Sequence, residues 1–171
     1  MSKRILILVS VVASLTATAL PAANESWVIR PQGAGPVKIG MTIAEINAAL
    51  SEKFGLPAEK DERGCFCVSP SQHPDVTFMI ENGRLVRIDV DKPGVTTPEG
   101  IQVGDSETRV KNVYGNRLKV EPHAYSGPEW HYLTVRSKDG RYGTKFETDG
   151  AKIRSYYAGL FSAVQYIEGC E

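Results

Sequence analysis

The chain has 171 residues, with 20 Lys and Arg against 20 Asp and Glu, and 23% of its residues are charged. That balance argues against a nucleic-acid binder, which needs a basic face, and gives no electrostatic reason to sit on an anionic membrane. Three cysteines and three histidines are too few and too scattered for the common metal and hydrolase templates.

Residues 1–23 are predicted to be a secretory signal peptide. Lys3 and Arg4 are followed by an uncharged apolar run over 5–20 and by small residues at Ala17, Ala19, Ala22 and Ala23. The run of about 16 residues is short of the roughly 20 that a membrane helix needs. Cleavage is expected after Ala19, Ala22 or Ala23, with no cysteine nearby to carry a lipid anchor. The expected location is periplasmic or secreted, without a membrane anchor. Loss of Lys3 and Arg4 leaves 18 basic against 20 acidic residues. The remaining 148 or so residues suit one compact domain or two small subdomains.

A first α+β unit is expected over 24–91. Val37-Lys38-Ile39-Gly40-Met41-Thr42 leads into Thr42 and Glu45, spaced as a capping box. Ile43, Ile46, Ala49, Leu50 and Phe54 then form one helical stripe, with Gly55 and Pro57 as stop signals. Strands follow over 65–69, Val76–Glu81 and Arg84–Val90. Asn82-Gly83 is a strong hairpin turn, which would pair Ile80 with Leu85 and Met79 with Val86. Cys65 and Cys67 share one strand face and cannot easily bridge each other, so one of them should bond Cys170. The expected pair is Cys65–Cys170, leaving Cys67 as a buried thiol between Phe66 and Val68.

Residues 92–100 form a linker with two Pro and two Gly, and a second unit is expected over 101–171. Ile101-Gln102-Val103-Gly104-Asp105-Ser106 repeats the first opening 64 residues later. A shorter helix follows through Val110, Val113 and Tyr114 to Gly115, with Arg109 where the first unit has its capping Glu. Strands are expected over 117–121, 130–136, Tyr142–Thr148, 151–157 and 163–168. An Asp149-Gly150 turn would pair Thr148 with Ala151, Phe146 with Ile153 and Lys145 with Arg154. The fold class is α+β: two tandem α-β-hairpin repeats, their helices packed on one face of a mainly antiparallel sheet.

The stretch from Val37 to Glu45 resembles the start of the SmpA/OmlA (BamE-like) outer-membrane assembly lipoproteins. The tandem arrangement resembles the β-lactamase-inhibitor-protein group, and the whole chain resembles secreted bacterial proteins ending as Glu168-Gly169-Cys170 does. These resemblances imply a helix-on-sheet fold and either envelope assembly or enzyme inhibition. The lipid-attachment cysteine of the lipoproteins is missing, and only one disulfide can form.

His73, in a polar loop before Pro74, suits the surface, and His131, on an apolar strand face, suits a hydrogen-bonded core position. Asp89-Val90-Asp91 does not complete a calcium loop, and Cys67 has apolar neighbours unlike those of an activated nucleophile. No cofactor or metal is expected. Ten of the fourteen aromatic residues lie between Tyr114 and Tyr166. The strand alternation places Trp130, Tyr132, Arg136, Arg154 and Tyr156 together on the open side of the sheet, and such residues dominate interface hot spots. The alternative is that a loop over 121–128 or the segment 27–31 covers them. The expected function is a non-catalytic module that binds a protein partner, such as a hydrolase inhibitor. The alternatives are an envelope structural or assembly protein, or an enzyme in which His123 or His131 meets a carboxylate such as Glu121 or Glu129.

Overall fold

The computed structural model describes residues 27–54 and 64–170. The expected signal peptide over 1–23 and the expected stop signals Gly55 and Pro57 lie outside the described residues.

Three two-residue strands, β1 (Ile29–Arg30), β2 (Gly33–Ala34) and β3 (Val37–Lys38), form a small antiparallel meander. Helix α1 (Ile43–Leu50) starts at the expected capping box, with the Thr42 side chain on the Glu45 amide and the Glu45 carboxylate on the Thr42 amide at 2.7 Å. It stops earlier than the apolar stripe suggested. Ser51 takes a left-handed conformation, and the Asn47 side chain accepts from the Phe54 amide at 3.0 Å, leading the chain off the helix.

Strands β4 (Phe66–Val68), β5 (Val76–Glu81) and β6 (Arg84–Val90) complete the first half. Helix α2 (Glu107–Tyr114) opens the second, followed by a 3-10 turn at Gly115–Arg117. Then come β7 (Leu118–Pro122), β8 (His131–Arg136), β9 (Tyr142–Thr148) and β10 (Ile153–Leu160). The strand expected over 163–168 is instead a 3-10 turn at Ala163–Gln165. There the chain crosses over the sheet and buries Ala163 beside Cys65, Met79 and Val86.

The seven strands form one antiparallel sheet in the order β4-β5-β6-β10-β9-β8-β7. Its two halves meet where β6 pairs with β10, with Asp89 opposite Tyr157. Corresponding bonds tie each helix entry to its hairpin. Gly40 and Met41 exchange bonds with Leu85 at 2.8 Å, and Gly104 and Asp105 exchange bonds with Ile153 at 2.9 Å. The helix-capping residues bridge in the same way, Thr42 to Arg84 and Ser106 to Lys152. One residue is then bulged out of each returning strand, Val86 in β6 and Arg154 in β10.

Those bulges change the expected registers. The Asn82-Gly83 turn does pair Ile80 with Leu85, but Met79 meets Arg87 rather than Val86. In the second hairpin the turn centres one residue later, on Gly150-Ala151. The Asp149 carboxylate accepts from the Ala151 and Lys152 amides at 2.9 and 2.7 Å, which makes Asp149 the cap of the turn and not one of its central residues. Thr148 therefore pairs with Ile153, Phe146 with Tyr156 and Lys145 with Tyr157.

The core lies between the helices and one sheet face. Ile46, Val110 and Tyr114 join Phe78, Ile88, Leu133, Phe146 and Tyr156, and the meander adds Trp27, Ile29 and Val37. Trp27 stacks on Phe78 and on His73, whose ring lies 4.0 Å away, so His73 is half-buried rather than a free surface residue.

Candidate functional site: a carboxylate-rimmed cleft on the open sheet face

The five residues expected to form an aromatic patch do not come together as one. Tyr156 is 0% exposed, on the helix side, tilted against Phe146 and donating to the Val95 carbonyl at 3.1 Å. The shifted register explains this, because Tyr156 now shares the face of Phe146. Tyr132 is on the open face but only 6% exposed, because His123 stacks on its ring at 4.4 Å. Trp130 is half-buried, edge-on to the same His123. Arg136 is exposed but folded over the Phe161 ring, and Arg154, in the bulge, is paired with Asp149. The loop between β7 and β8 thus covers the aromatic end of this face, while Trp27 and its neighbours pack on the other side of the sheet.

A second cover lies over the β4-β5-β6 end. Cys65 and Cys170 form the expected disulfide, with Cα atoms 5.3 Å apart, and Arg87 donates to the Ala163 carbonyl at 3.2 Å. Cys67 is exposed rather than buried in an apolar run, since the strand alternation turns it to the open face. Its thiol is nonetheless pushed up, by desolvation of the sulfur first and then by the Asp89 charge, which outweigh the Cys170 backbone bond and the Arg87 charge, so it is not activated as a nucleophile.

Between the two covers, where the sheet halves meet, lies a cleft of about 300 Å³ lined by Thr77, Arg87, Asp89, Asp91, Glu147, Ser155, Tyr157 and Ile167. Arg87 grips Asp89 through two bonds of 2.7 and 2.8 Å and lies over the Tyr157 ring, 4.4 Å from its centre. The Tyr157 hydroxyl donates to Glu147 at 3.1 Å and the Ser155 hydroxyl to the other oxygen at 3.2 Å. Sequence reasoning missed this cluster, although the registers of β6, β9 and β10 are what assemble it.

The charges are layered. Arg87 is 5% exposed and Lys145 4%, whereas Asp91 is exposed and Asp89 and Glu147 keep part of their carboxylates accessible. Burial pushes the Asp89 carboxyl up despite Arg87, with Glu147 and Asp91 adding in the same sense. Burial likewise pushes Tyr157 up. The Lys145 ammonium lies 4.9 Å from the centre of the Tyr132 ring and 5.9 Å from that of Tyr157. Burial holds its proton affinity below the ordinary lysine value even with Glu121 and Glu147 nearby. The accessible charge of the cleft lining is therefore acidic, its one cation, Arg87, being buried. Nearby Lys92 is exposed and occupied by Asp75 at 3.1 Å.

On the opposite face, His131 is bonded to a carboxylate, Glu107 at 3.0 Å, and not to Glu121 or Glu129, the examples the sequence offered. Glu107 is buried at the start of α2 and also accepts from Thr148 and Lys111. Burial raises the Glu107 carboxyl, but these three donors outweigh it and hold it below its usual range. Glu107 is a cross-link between helix and sheet, with its bonding capacity taken up. His123 comes nearest to Glu147, at 3.8 Å. Among the described residues, no group of three or more His, Cys, Asp or Glu is placed to hold a metal, and no helix is long and apolar enough to cross a membrane.

No family model matches the chain, and no curated protein matches it. Among solved structures it is similar to an extracellular protein containing an SCP domain from Bacillus anthracis, with 11% identity and a TM-score of 0.50. The likeness covers 88% of this chain and 51% of that one, so the chain spans about half of that protein's length. At this identity the likeness is one of fold.

Proposed function

We propose that this is a secreted, non-catalytic module whose cleft at the seam of the sheet receives a basic side chain of a protein partner. The observation that carries this reading is the charge of the lining: Asp89, Asp91 and Glu147 present exposed or partly exposed carboxylates to the cleft, while its one lining cation, Arg87, is buried. A guanidinium fits such a site because it can bond the exposed Asp91 and the accessible parts of the Asp89 and Glu147 carboxylates together. The Cys65–Cys170 disulfide and the extracellular fold neighbour support a location outside the cytoplasm. The matching helix-to-hairpin bonds and paired bulges support an internal duplication, and with it the resemblance to the SmpA/OmlA and β-lactamase-inhibitor-protein groups. That resemblance favours a protein partner over a small metabolite.

The test uses two short capped peptides, Gly-Arg-Gly and Gly-Gln-Gly, titrated against the folded chain and followed by amide NMR. The Arg peptide should shift the resonances of Ser155 and Tyr157, more weakly at high salt and in Glu147→Gln. Equal shifts from both peptides, or shifts confined to another surface, would reject the reading.

A further inference from the structure

His123 holds the β7–β8 loop in an arrangement that depends on one unprotonated nitrogen. Its Nδ1 accepts from the backbone amides of Tyr125 and Ser126 at 3.2 and 3.3 Å. That geometry requires the neutral ring with its proton on Nε2, the nitrogen that faces Glu147 at 3.8 Å. The same ring covers Tyr132 and supports the edge of Trp130, and the His123 amide donates to the Trp130 carbonyl at 3.0 Å, closing the base of the loop. The Tyr125 hydroxyl donates to Glu168 at 2.6 Å, so the loop is strapped to the C-terminal segment over the cleft.

We propose that His123 is a proton-operated latch: protonation of Nδ1 releases the 123–130 loop and uncovers Tyr132 and Glu147. A proton on Nδ1 would set an N–H donor against two further N–H donors, with no acceptor between them, so the loop amides lose their partner. The groups facing the ring do not remove that conflict. Glu147 on β9 lies on the Nε2 side of the ring at 3.8 Å and offers Nδ1 no acceptor, so it leaves a protonated Nδ1 opposed to the amides. Glu121 on β7 lies opposite Tyr132 in register and adds negative charge, Lys145 on β9 beneath Tyr132 opposes it, and the Tyr157 hydroxyl is engaged with Glu147. Glu168, across the strap, is held by Tyr125.

Amide hydrogen exchange of the free protein at pH 7.5 and pH 5, corrected for intrinsic rates, tests the latch without any ligand. Its outcome is therefore separable from that of the peptide titration. Protection across 123–130 should fall at least tenfold at pH 5, while the amides of Ile88 and Phe146 stay protected. His123→Asn, whose side-chain oxygen can accept from the same amides but takes no proton in this range, should keep the loop protected at both pH values. Unchanged protection in the wild-type chain at pH 5, or an equal loss in wild type and His123→Asn, would overturn the proposal.

Discussion

The two halves of the sheet share a backbone frame and differ in what they place on it. Asp89 of β6 and Tyr157 of β10 face each other across the seam, each following a bulge that comes directly after the residue bonded to the helix entry. Two residues before them stand Arg87 and Ser155, and the partner strands contribute Met79 and Glu147 at matching registers. Further along, Thr77 occupies the position that Lys145 holds in the second half. On the core side the same positions carry similar cargo, with Phe78 and Phe146 both fully buried. Packing therefore keeps the halves alike on the helix side. The open side, with no helix to satisfy, is where they diverge into a cleft whose one lining cation, Arg87, is buried and whose accessible charge is acidic.

The largest expected effect comes from the disulfide that ties the end of the second half to the first strand of the first half. Replacing Cys170 by Ser opens a loop of 105 residues, worth about 4–5 kcal/mol in the chain-entropy model. Urea unfolding should show a loss of that order. A loss under about 1 kcal/mol would mean that the C-terminal cover holds its place without the bond. Next, Phe78→Ala and Phe146→Ala should each cost about 3–5 kcal/mol, since both rings are fully buried in the shared core. Similar losses in one cooperative transition would show that the two halves fold as one unit. Two separate transitions, each sensitive to only one of the substitutions, would show that each half folds alone.

Much of this frame was legible in the sequence. Val76–Glu81, Arg84–Val90 and Tyr142–Thr148 appear at their expected bounds, because long alternating runs beside turn residues leave little choice of register. The Thr42 capping box was equally plain. The rest, the cleft included, was not legible, for local reasons. The Asp149 side chain bonds the amides after it and moves the turn by one residue. The Arg154 bulge then shifts the pairing once more, which turns Tyr156 to the core and Tyr157 to the open face. The β1–β3 meander escaped notice because two-residue strands carry no periodic signal. A loop over 121–128 covering Tyr132 was one of the two readings of the sequence, but that His123 does the covering depends on bonds to backbone amides that no residue pattern announces.

A smaller effect separates the matched pair beside the seam. Arg87→Met leaves Asp89 without its two bonds and should cost about 3 kcal/mol, as removing one partner of a buried ion pair does. Ser155→Ala removes one hydroxyl bond to Glu147 and should cost about 1 kcal/mol. Denaturant midpoints measured at one pH read both. Equal costs would mean that Arg87 contributes little beyond what Ser155 does.

The smallest expected effect contrasts Lys145 with Thr77 and is read as a slope rather than a loss. Burial lowers the proton affinity of Lys145 in the native chain below the ordinary value of 10.5. Between that lowered value and 10.5 the unfolded chain binds more protons than the native one, so Lys145 makes stability rise with pH through that window. Lys145→Met, of similar length and uncharged, should be at least as stable as the parent at pH 7 and should flatten this alkaline rise. Thr77→Val, at the matching position of the first half, should leave the slope untouched, because Thr77 has no proton to exchange in that range. Stability measured by urea unfolding from pH 7 to pH 10.5 decides between these outcomes. A slope that survives Lys145→Met would place the titrating group elsewhere, and the buried cation would then no longer distinguish the two halves of the open face.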